Sequence, residues 1–331
     1  MSRQHWAERR DWAAWFASSA FQDEAEAWAR ESLSRLGFRP LLDSWQVRRT
    51  RAWSTQATLK AVDPDGVPCT IWFKAGNPGQ AFEPRLLLVL ADLVPGHFLT
   101  PLAVDGDRGW MLTKDFGPTL FDQGVSDEDG GAASQLVARL GEAQLAAVDH
   151  RDPLLATGLD EITPTLLERA VSAMMADATA LPEDHPGHLP GAEVARTRDG
   201  VAAAAELLQQ LAGGLVPFTL DHNDLHTNNA YGSPSAPRLF DLGDALWGHP
   251  FVGFAWLTEL GPARLAAATA RFEQYGSGEE LARELEMALR LQPVHRLLAW
   301  WRVLAPVTPD AWPEHAASIP HWCRRLGELA D

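Results

Sequence analysis

The spacing of apolar residues predicts a helical segment followed by a β-hairpin in the first quarter of the chain. Over residues 6–36 apolar side chains recur at helical intervals between charged ones, so we expect one or two amphipathic helices that end at Gly37. After residue 53 the period changes to two. The stretches "STQATLKAV" and "VPCTIWFK" flank "DPDG", whose proline and glycine favour a tight turn. Residues 54–74 are therefore predicted to form a β-hairpin.

One helix and two further strands are predicted to follow. The segment "AFEPRLLLVLADL" has helical spacing, and Pro84 falls in its first turn, where a missing N–H costs least. The segments "HFLTPLAV" and "WMLTKDF", separated by the turn "DGDRG", have the composition of strands. We therefore expect residues 1–116 to form a small β-rich lobe with one helix and an N-terminal helical extension.

Beyond Gly117 the pattern becomes helical. Stretches rich in Ala and Leu predict helices at 133–148, 192–212, 262–271 and 279–304. Strands are predicted only at Leu215–Leu220 and Pro237–Asp241, and residues 181–193 are predicted to form a loop. Residues 117–331 are thus expected to form a larger, mainly helical lobe, and the fold class is α+β.

Charge excludes one class of partner. The chain of 331 residues has a formal net charge of −16, which argues against nucleic-acid binding because phosphate contacts need a basic face. Residues 1–116 hold 14 Lys and Arg and 14 Asp and Glu, so the other residues hold 14 basic and 30 acidic side chains. The net negative charge therefore belongs to the C-terminal two thirds, as an acidic surface or as a field that attracts a cationic ligand.

The chain is expected to be soluble and cytoplasmic, without a membrane partner. No apolar run approaches the roughly 18 residues that span a bilayer, and charges interrupt the N-terminal segment where a signal peptide would be apolar. The two cysteines, Cys69 and Cys323, lie far apart and neither has metal-ligand spacing. We therefore expect two reduced thiols.

The stretch "FTLDHNDLHTNNAYG" gathers the residues with the most suggestive chemistry. His222, Asp224 and Asn229 have the spacing His-x-Asp-x-x-x-x-Asn, and Asp241 ends the apolar run of "PRLFDLGDA". Such a set suits attack of a hydroxyl on a nucleotide γ-phosphate. One carboxylate orients the hydroxyl proton, while a second carboxylate and an amide oxygen hold Mg²⁺.

The segments "HNDLHTNN" and "FDLGD" resemble the Brenner-type catalytic loop and the metal motif of aminoglycoside phosphotransferases and the related choline kinase-type small-molecule kinases. This resemblance implies a bilobal protein-kinase-like fold that uses ATP and Mg²⁺. It also implies that Asp224 is the catalytic base, that His222 supports the loop, and that Asn229 and Asp241 bind Mg²⁺.

Two departures from the family pattern remove no functional group. The family commonly has glycine where this chain has Asn223, and often Pro-Gly at residues 227–228, which are Thr-Asn here.

The small lobe contains the other residues that a kinase-like fold requires. Lys74 ends the strand "TIWFK" and would hold the α- and β-phosphates, while Glu83, nine residues on, would pair with it. The chain has only three lysines among 28 basic residues, so a lysine at this position is informative. The backbone of residues 112–114 is the expected adenine contact.

The expected phosphate loop, "RRTRAWSTQ", contains no glycine. Contacts to phosphate are therefore predicted from the backbone N–H groups and hydroxyls of Ser54 and Thr55. Trp53 is interpreted either as a lid or as a core residue. The "KDFG" at residues 114–117 precedes the catalytic loop by more than a hundred residues, so Asp115 is interpreted as a turn or cap residue between the lobes.

Several residues near the motif have two interpretations. His226 could contact the substrate or stabilise the loop, and Asp244 could help with Mg²⁺ or order its turn. His249 is interpreted as structural.

A hydroxylated small molecule is the expected acceptor. The segment after residue 278 offers carboxylates for amines and indole rings for a sugar or a quaternary ammonium, namely Glu284, Glu286, Trp300, Trp301 and Trp312. A cationic aminoglycoside, amino sugar or amino alcohol fits the acidic lobe.

Three functions remain open from the sequence. An ATP-dependent O-phosphotransferase is favoured because the five polar groups that bind the nucleotide and metal and handle the acceptor proton are all present, namely Lys74, Glu83, Asp224, Asn229 and Asp241. GTP is an alternative donor. A nucleotide-binding pseudokinase is the second hypothesis, since the glycine-free loop could impair transfer. A protein kinase is the weakest, because no Ala-Pro-Glu motif or long activation segment follows Asp241.

Overall fold

An antiparallel sheet forms the N-terminal part of the computed structural model, which describes residues 9–126, 130–260, 265 and 268–331. The strands are β1 (Arg39–Pro40), β2 (Gln46–Thr50), β3 (Ser54–Val62), β4 (Pro68–Gly76), β5 (Ala103–Asp105) and β6 (Trp110–Lys114). Their order is β3-β4-β6-β5, and β1 and β2 both pair with the outer side of β3.

The predicted hairpin is confirmed. β3 and β4 pair from Ser54 opposite Gly76 to Val62 opposite Pro68. The turn between them is closed by Asp63, whose carboxylate accepts from the backbone N–H groups of Asp65 and Val67. Gly66 has φ +85°, which the turn requires and glycine adopts without strain.

Two helices cover one face of this sheet, as the periodicity of residues 6–36 predicts. They are α1 (Trp12–Ala17) and α2 (Ser19–Arg35), and Ser18 caps the second by accepting from Phe21 N. Phe16 and Phe21 are buried against Phe73 and Trp110 of the sheet, with aromatic edges meeting faces. This packing forms a separate hydrophobic core.

Helix α3 (Glu83–Leu93) lies outside that core. Pro84 is in its first turn, as predicted. Its buried leucines, Leu86, Leu87 and Leu90, pack in the same cluster as the C-terminal helices. Because one core therefore extends across the expected boundary, the division between residues 116 and 117 stays a prediction.

The C-terminal part is mainly helical. The described residues form α4 (Gly130–Ala147), α5 (Arg151–Ala156), α6 (Pro164–Ala180), α7 (Gly191–Ala212), α8 (Gly278–Leu289), α9 (Gln292–Leu304) and α10 (Ser318–Gly327). This part also contains two antiparallel two-stranded sheets, in which β7 (Thr219–Asp221) pairs with β10 (Leu246–Gly248) and β8 (Ala230–Ser233) pairs with β9 (Ala236–Leu239).

The sequence interpretation was wrong about several of these elements. The elements that were not predicted are helices α5, α6 and α10 and strands β1, β2, β8 and β10, and the stretch 279–304 is two helices rather than one. Pro293, at the second helical position of α9, suits the start of a new helix. Most of the predicted helix 262–271 lies outside the described residues.

Two segments join the lobes away from the sheet. In the N-terminal strap, residues 9–12, Arg10 bridges to Val307 and the indole of Trp12 donates to the carbonyl of Pro306 at 2.9 Å. Residues 77–80 form the second link: the Asn77 amide donates to the carbonyl of Val303 at 2.8 Å. A Cβ at Gly79 would lie 1.9 Å from the Arg302 carbonyl oxygen, so only glycine fits there.

In the described part of the chain, no helix combines the length and apolar character that crossing a membrane requires.

Candidate active site

The loop after β7 is held from behind by a buried histidine. His222 is fully buried, and its Nε2–H donates to the carbonyl of Phe240 at 3.0 Å. Burial lowers the pKa of His222, although the negative charge of Asp224 opposes the change. The neutral ring ties the loop to the residue directly before Asp241.

Asn223 adopts a left-handed conformation with φ +59°. Its side-chain amide donates to the carbonyls of Asp244 at 3.2 Å and His295 at 3.1 Å. Asparagine tolerates this conformation better than most residues, and glycine adopts it freely. The local geometry therefore explains how asparagine can occupy a position where the resembling family commonly has glycine.

A buried pair that sequence reasoning missed fixes the start of the loop. Asp221 and His295 have no solvent exposure, and His295 Nδ1 lies 2.9 Å from Asp221 Oδ2. The other Asp221 oxygen accepts from Asn223 N at 3.1 Å. The two partners lie 74 residues apart in sequence, so no local pattern indicated the contact.

Asp224 projects into the cleft from this fixed loop. Its Oδ2 accepts from Asn229 Nδ2 at 3.0 Å, and His226 Nε2 lies 3.5 Å from the same oxygen. Arg296 Nη1 lies 3.5 Å from Oδ1. Burial opposes ionisation of Asp224, but the His226 hydrogen bond and the Arg296 charge outweigh it and lower the pKa to about 2. The carboxylate is therefore an anion at neutral pH.

Arg296 was not predicted as a site residue. It lies on α9, and its Nη1 donates to the carbonyl of Asn223 at 2.6 Å. The same nitrogen is 3.7 Å from Asp244 Oδ2. Burial and the charge of Asp224 raise the pKa of Asp244 to about 6, although Arg296 acts in the opposite direction.

The lysine, the glutamate and the second aspartate of the prediction meet in one ion-pair network. Lys74 Nζ lies 2.7 Å from Glu83 Oε2 and 2.7 Å from Asp241 Oδ1. Burial disfavours the charged lysine, but the two carboxylates outweigh it and raise the pKa of Lys74. Glu83 is buried and also accepts from Leu242 N at 3.1 Å, which ties α3 to the segment that carries Asp241.

Asp241 has φ +62°, an unfavourable conformation for a residue with a side chain. Such strain is maintained where the surrounding contacts fix a functional geometry. Burial opposes its ionisation, but the Lys74 charge lowers the pKa of Asp241.

Asn229 and Asp241 form a donor set that suits Mg²⁺. The Asn229 amide nitrogen is engaged by the Asp224 backbone carbonyl and carboxylate, which leaves its carbonyl oxygen for a cation. Mg²⁺ is commonly bound through one or two protein oxygen ligands completed by phosphates and water. Within the described ranges there is no cluster of three His, Cys, Asp or Glu that could hold a metal alone.

These residues line one cavity of about 650 Å³ between the lobes. Lys74, Asp224, Asn229 and Asp241 are all part of its wall. Apolar and hydroxyl side chains form a further part of the wall, including Leu99, Met111, Thr113, Phe116 and Phe240. Of the expected adenine contacts, Thr113 lines the cavity, Leu112 is buried in the sheet core, and Lys114 pairs with Asp63 on the surface.

Ser54 and Thr55 are not brought to this cavity. Both are buried, and the Thr55 hydroxyl contacts the Thr50 hydroxyl and donates to the Arg49 carbonyl. Arg49 and Arg51 line the cavity instead. The run of arginines in "RRTRAW" is the sequence feature that could have indicated that arginines, rather than Ser54 and Thr55, reach the cavity.

Trp53 contacts both lobes. Its ring meets Trp300 edge to face at 6.0 Å and His315 at 5.7 Å, and all three line the cavity. It therefore forms part of the wall of the cleft. Asp115 accepts from Gly117 N at 3.0 Å, which agrees with its interpretation as a turn residue.

Among the residues expected to contact an acceptor, only Trp300 lines the cavity. Glu284 is buried and accepts from Leu215 N, Val216 N and His249, so it has a structural role. Trp312 is buried in the core. Besides Asp224, the acidic residues that line the cavity are Glu83, Asp115, Asp122, Asp241 and Asp244.

Comparison with solved structures places this arrangement in a known fold. No protein-family model matches the chain, and a comparison with curated protein sequences gives no match. Similar structures include macrolide 2'-phosphotransferase MphH from Brachybacterium faecium, with TM-score 0.54, 16% identity, and coverage of 88% of this chain and 97% of that one.

Two other similar structures extend the comparison. A type I macrolide 2'-phosphotransferase gives TM-score 0.55 at 14% identity, covering 92% of this chain and 96% of its own. A Plasmodium vivax ethanolamine kinase gives TM-score 0.57 at 10% identity, covering 86% of this chain and 80% of its own. The chain therefore has the bilobal α+β, protein-kinase-like fold of aminoglycoside phosphotransferase-like and choline kinase-like proteins, as the motif resemblance predicts.

Proposed function

We propose that this protein is a phosphotransferase that moves the γ-phosphate of ATP to a hydroxyl group of a small molecule. The observation that carries the proposal is the convergence of two sets of residues on one cavity. The first set is the Lys74–Glu83–Asp241 network, and the second is the hydrogen-bonded pair Asp224 and Asn229.

In this proposal each member of the network has one task. Lys74 binds the α- and β-phosphates, and Glu83 holds the Lys74 ammonium in place. Asn229 and Asp241 hold Mg²⁺, which supplies positive charge to the transferring phosphoryl group when bound. His222 positions the loop from behind.

Asp224 orients the attacking hydroxyl. A carboxylate whose pKa is lowered to about 2 is a weak base, but it is a permanently ionised acceptor for a hydroxyl proton. Because phosphoryl transfer passes through a loose transition state, orientation and late proton acceptance suffice.

The acceptor we propose is a hydroxylated cation such as an aminoglycoside, amino sugar or amino alcohol. Asp122 and Asp244 offer carboxylates in the same cavity as Asp224, and Trp300 offers an aromatic face. The names of the similar structures, which include macrolide and aminoglycoside phosphotransferases and an ethanolamine kinase, support this chemical range.

A thermal-shift titration with ATP and GTP, with and without Mg²⁺, tests the nucleotide site. A ligand that binds only the folded state raises the melting temperature. We expect a magnesium-dependent rise in the wild type that Asp241→Asn abolishes, followed by transfer of γ-phosphate to a member of an amine-bearing acceptor panel. Nucleotide binding without transfer to any acceptor or to water would favour the pseudokinase alternative. The absence of any shift would contradict the proposal.

A further inference from the structure

The turn between β2 and β3 brings two arginines to the cavity that contains the Lys74 network. Arg49 is the second-last residue of β2, and Arg51 lies in the turn that follows. Both line the same cavity as Lys74 and Asp241. An inference about their ligand rests on the proposed function, because the cavity is the proposed nucleotide site.

Sheet register determines which way Arg49 faces. Arg49 pairs with Gln56, Gln56 with Lys74, and Lys74 with Met111, so these four residues form one row across four strands. Residues directly opposite in neighbouring strands project from the same face. All four line the cavity, so Arg49 shares the face from which Lys74 reaches Asp241.

An irregularity in β2 produces this register. Val47 pairs with Ala57, but the next residue of β3, Gln56, pairs with Arg49 rather than Arg48. One extra residue in β2 therefore shifts the alternation of side chains by one position. Without this bulge Arg48 would occupy the row that Arg49 now holds.

Among the residues that the structure describes, no carboxylate forms an ion pair with either arginine. Within the described ranges neither guanidinium forms a hydrogen bond to a side chain, and Arg51 lies over the Trp53 ring at 5.3 Å. Arg49 is exposed overall, but desolvation of its guanidinium in the cleft and the charge of Arg51 lower its pKa, while Asp241 opposes them. Two guanidinium groups held near each other in a cleft favour an anion between them.

The backbone of this turn has less to offer an anion than a glycine-rich loop. Arg51 N donates to the Ser54 carbonyl, and Ser54 and Thr55 are paired within the sheet. None of residues 48–56 has a positive φ. Binding of phosphate by successive backbone N–H groups is therefore limited here, and side chains must supply the donors.

We propose that Arg49 and Arg51 form an anion subsite that binds the terminal phosphates of the nucleotide, in place of the backbone amides of a glycine-rich loop. Each guanidinium presents a planar set of N–H donors that matches phosphate oxygens in pairs. Together with Lys74, the subsite surrounds the triphosphate from the side of the small lobe.

Binding measurements on matched variants test this subsite. Affinities for MgATP, adenosine and inorganic tripolyphosphate are measured by calorimetry for the wild type, Arg49→Gln, Arg51→Gln and the double variant. Arg48→Gln is the matched control, because Arg48 is the neighbouring arginine, exposed like Arg49, that the bulge removes from the row. Thermal unfolding verifies that each variant is folded, and Arg49→Lys tests whether charge alone suffices.

We expect Arg49→Gln and Arg51→Gln each to weaken MgATP and tripolyphosphate binding at least roughly tenfold, because charge-assisted hydrogen bonds to phosphate are lost. Adenosine binding and the Arg48→Gln control should be unaffected. Variants that bind MgATP and tripolyphosphate as the wild type does would overturn the subsite and leave the proposed function intact. Wild-type protein that binds tripolyphosphate through the arginines but no nucleotide would support the subsite and overturn the function. Wild-type protein that binds neither tripolyphosphate nor nucleotide would overturn both the subsite and the proposed function.

Discussion

The catalytic loop and the β2–β3 turn line the same cavity but are built in different ways. The loop is fixed by buried groups, with His222 bonded to the Phe240 carbonyl and the Asp221–His295 pair beneath it. The turn lies on the outer side of the sheet and presents Arg49 and Arg51 on long side chains.

This difference follows from what each region has to bind. A hydroxyl must be oriented within about 0.5 Å and about 10–20° of the productive geometry, so its acceptor has to be held by rigid, buried contacts. A triphosphate is a large anion with many oxygens, and flexible guanidinium groups can meet it in several geometries. Precision therefore requires buried contacts, while charge can be supplied from an exposed strand.

The largest expected effect comes from replacing the carboxylate that the rigid catalytic loop offers to the attacking hydroxyl. Asp224→Asn should lower kcat by roughly 10²–10⁴ and leave MgATP affinity nearly unchanged, because Asp224 faces the acceptor. Steady-state transfer and nucleotide binding are measured on the same preparation. Asp115→Asn is the control, since Asp115 also lines the cavity but caps a turn. A loss of nucleotide affinity as large as the loss of kcat would contradict the assigned role.

The second effect tests whether the Lys74 network also stabilises the fold. Lys74→Met leaves Glu83 buried without its cation, which should cost about 3–5 kcal/mol of unfolding free energy. The double variant Lys74→Met/Glu83→Gln should recover much of that stability and still bind MgATP poorly. Urea denaturation measures the free energy of unfolding, and calorimetry measures the affinity for MgATP. Equal stabilities of the single and double variants would show that Glu83 is not the cause.

A third effect concerns the pH dependence of stability and the carboxylate beside Arg296. In the unfolded chain an aspartate titrates near pH 3.9, whereas burial and Asp224 raise the pKa of Asp244 to about 6. Between these values the folded state binds more protons, so the free energy of unfolding should fall as pH rises, by up to about 3 kcal/mol.

Asp244→Asn removes this titration. The unfolding free energy of the variant should therefore rise relative to that of the wild type between about pH 4 and pH 6, and the difference should stay constant above that range. Thermal unfolding of both proteins over this range measures the difference. Parallel curves would indicate that Asp244 titrates at its ordinary pKa.

The smallest effect separates conformation from hydrogen bonding at Asn223. Asn223→Ala loses the side-chain bonds and keeps a Cβ at φ +59°, whereas Asn223→Gly loses the bonds and relieves the strain. The alanine variant should be less stable than the glycine variant by about 1–2 kcal/mol. Chemical denaturation measures the free energy of unfolding of both variants. A glycine variant less stable than the alanine variant would contradict the geometric explanation.

The parts of the site that the sequence predicted are those whose spacing is set locally. His222, Asp224 and Asn229 share one loop, and Lys74 and Glu83 lie nine residues apart. Lys74, Asp224, Asn229 and Asp241 duly line one cavity. Their roles in catalysis stay predictions that the experiments above test.

The residues that were missed depend on contacts between distant segments. Arg296 reaches the catalytic loop across 73 residues, and the direction of Arg49 depends on a bulge that alternation alone does not reveal. Glu284 illustrates the opposite error, because composition suggested a ligand where packing against His249 made it a structural anchor. In the fold, β8 and β10 were missed because three or four residues are too few to display a period of two.

The N-terminal strap has a consequence for how the chain is made. Its contacts join residues 294 positions apart, from Trp12 to the Pro306 carbonyl. Translation proceeds from the N-terminus, so the sheet and its two covering helices can emerge from the ribosome and fold first. The strap gains its partner only once Val307 has emerged. Closure of the strap is therefore a late event in biosynthesis, and nascent chains stalled before that residue should leave the N-terminal segment open to protease.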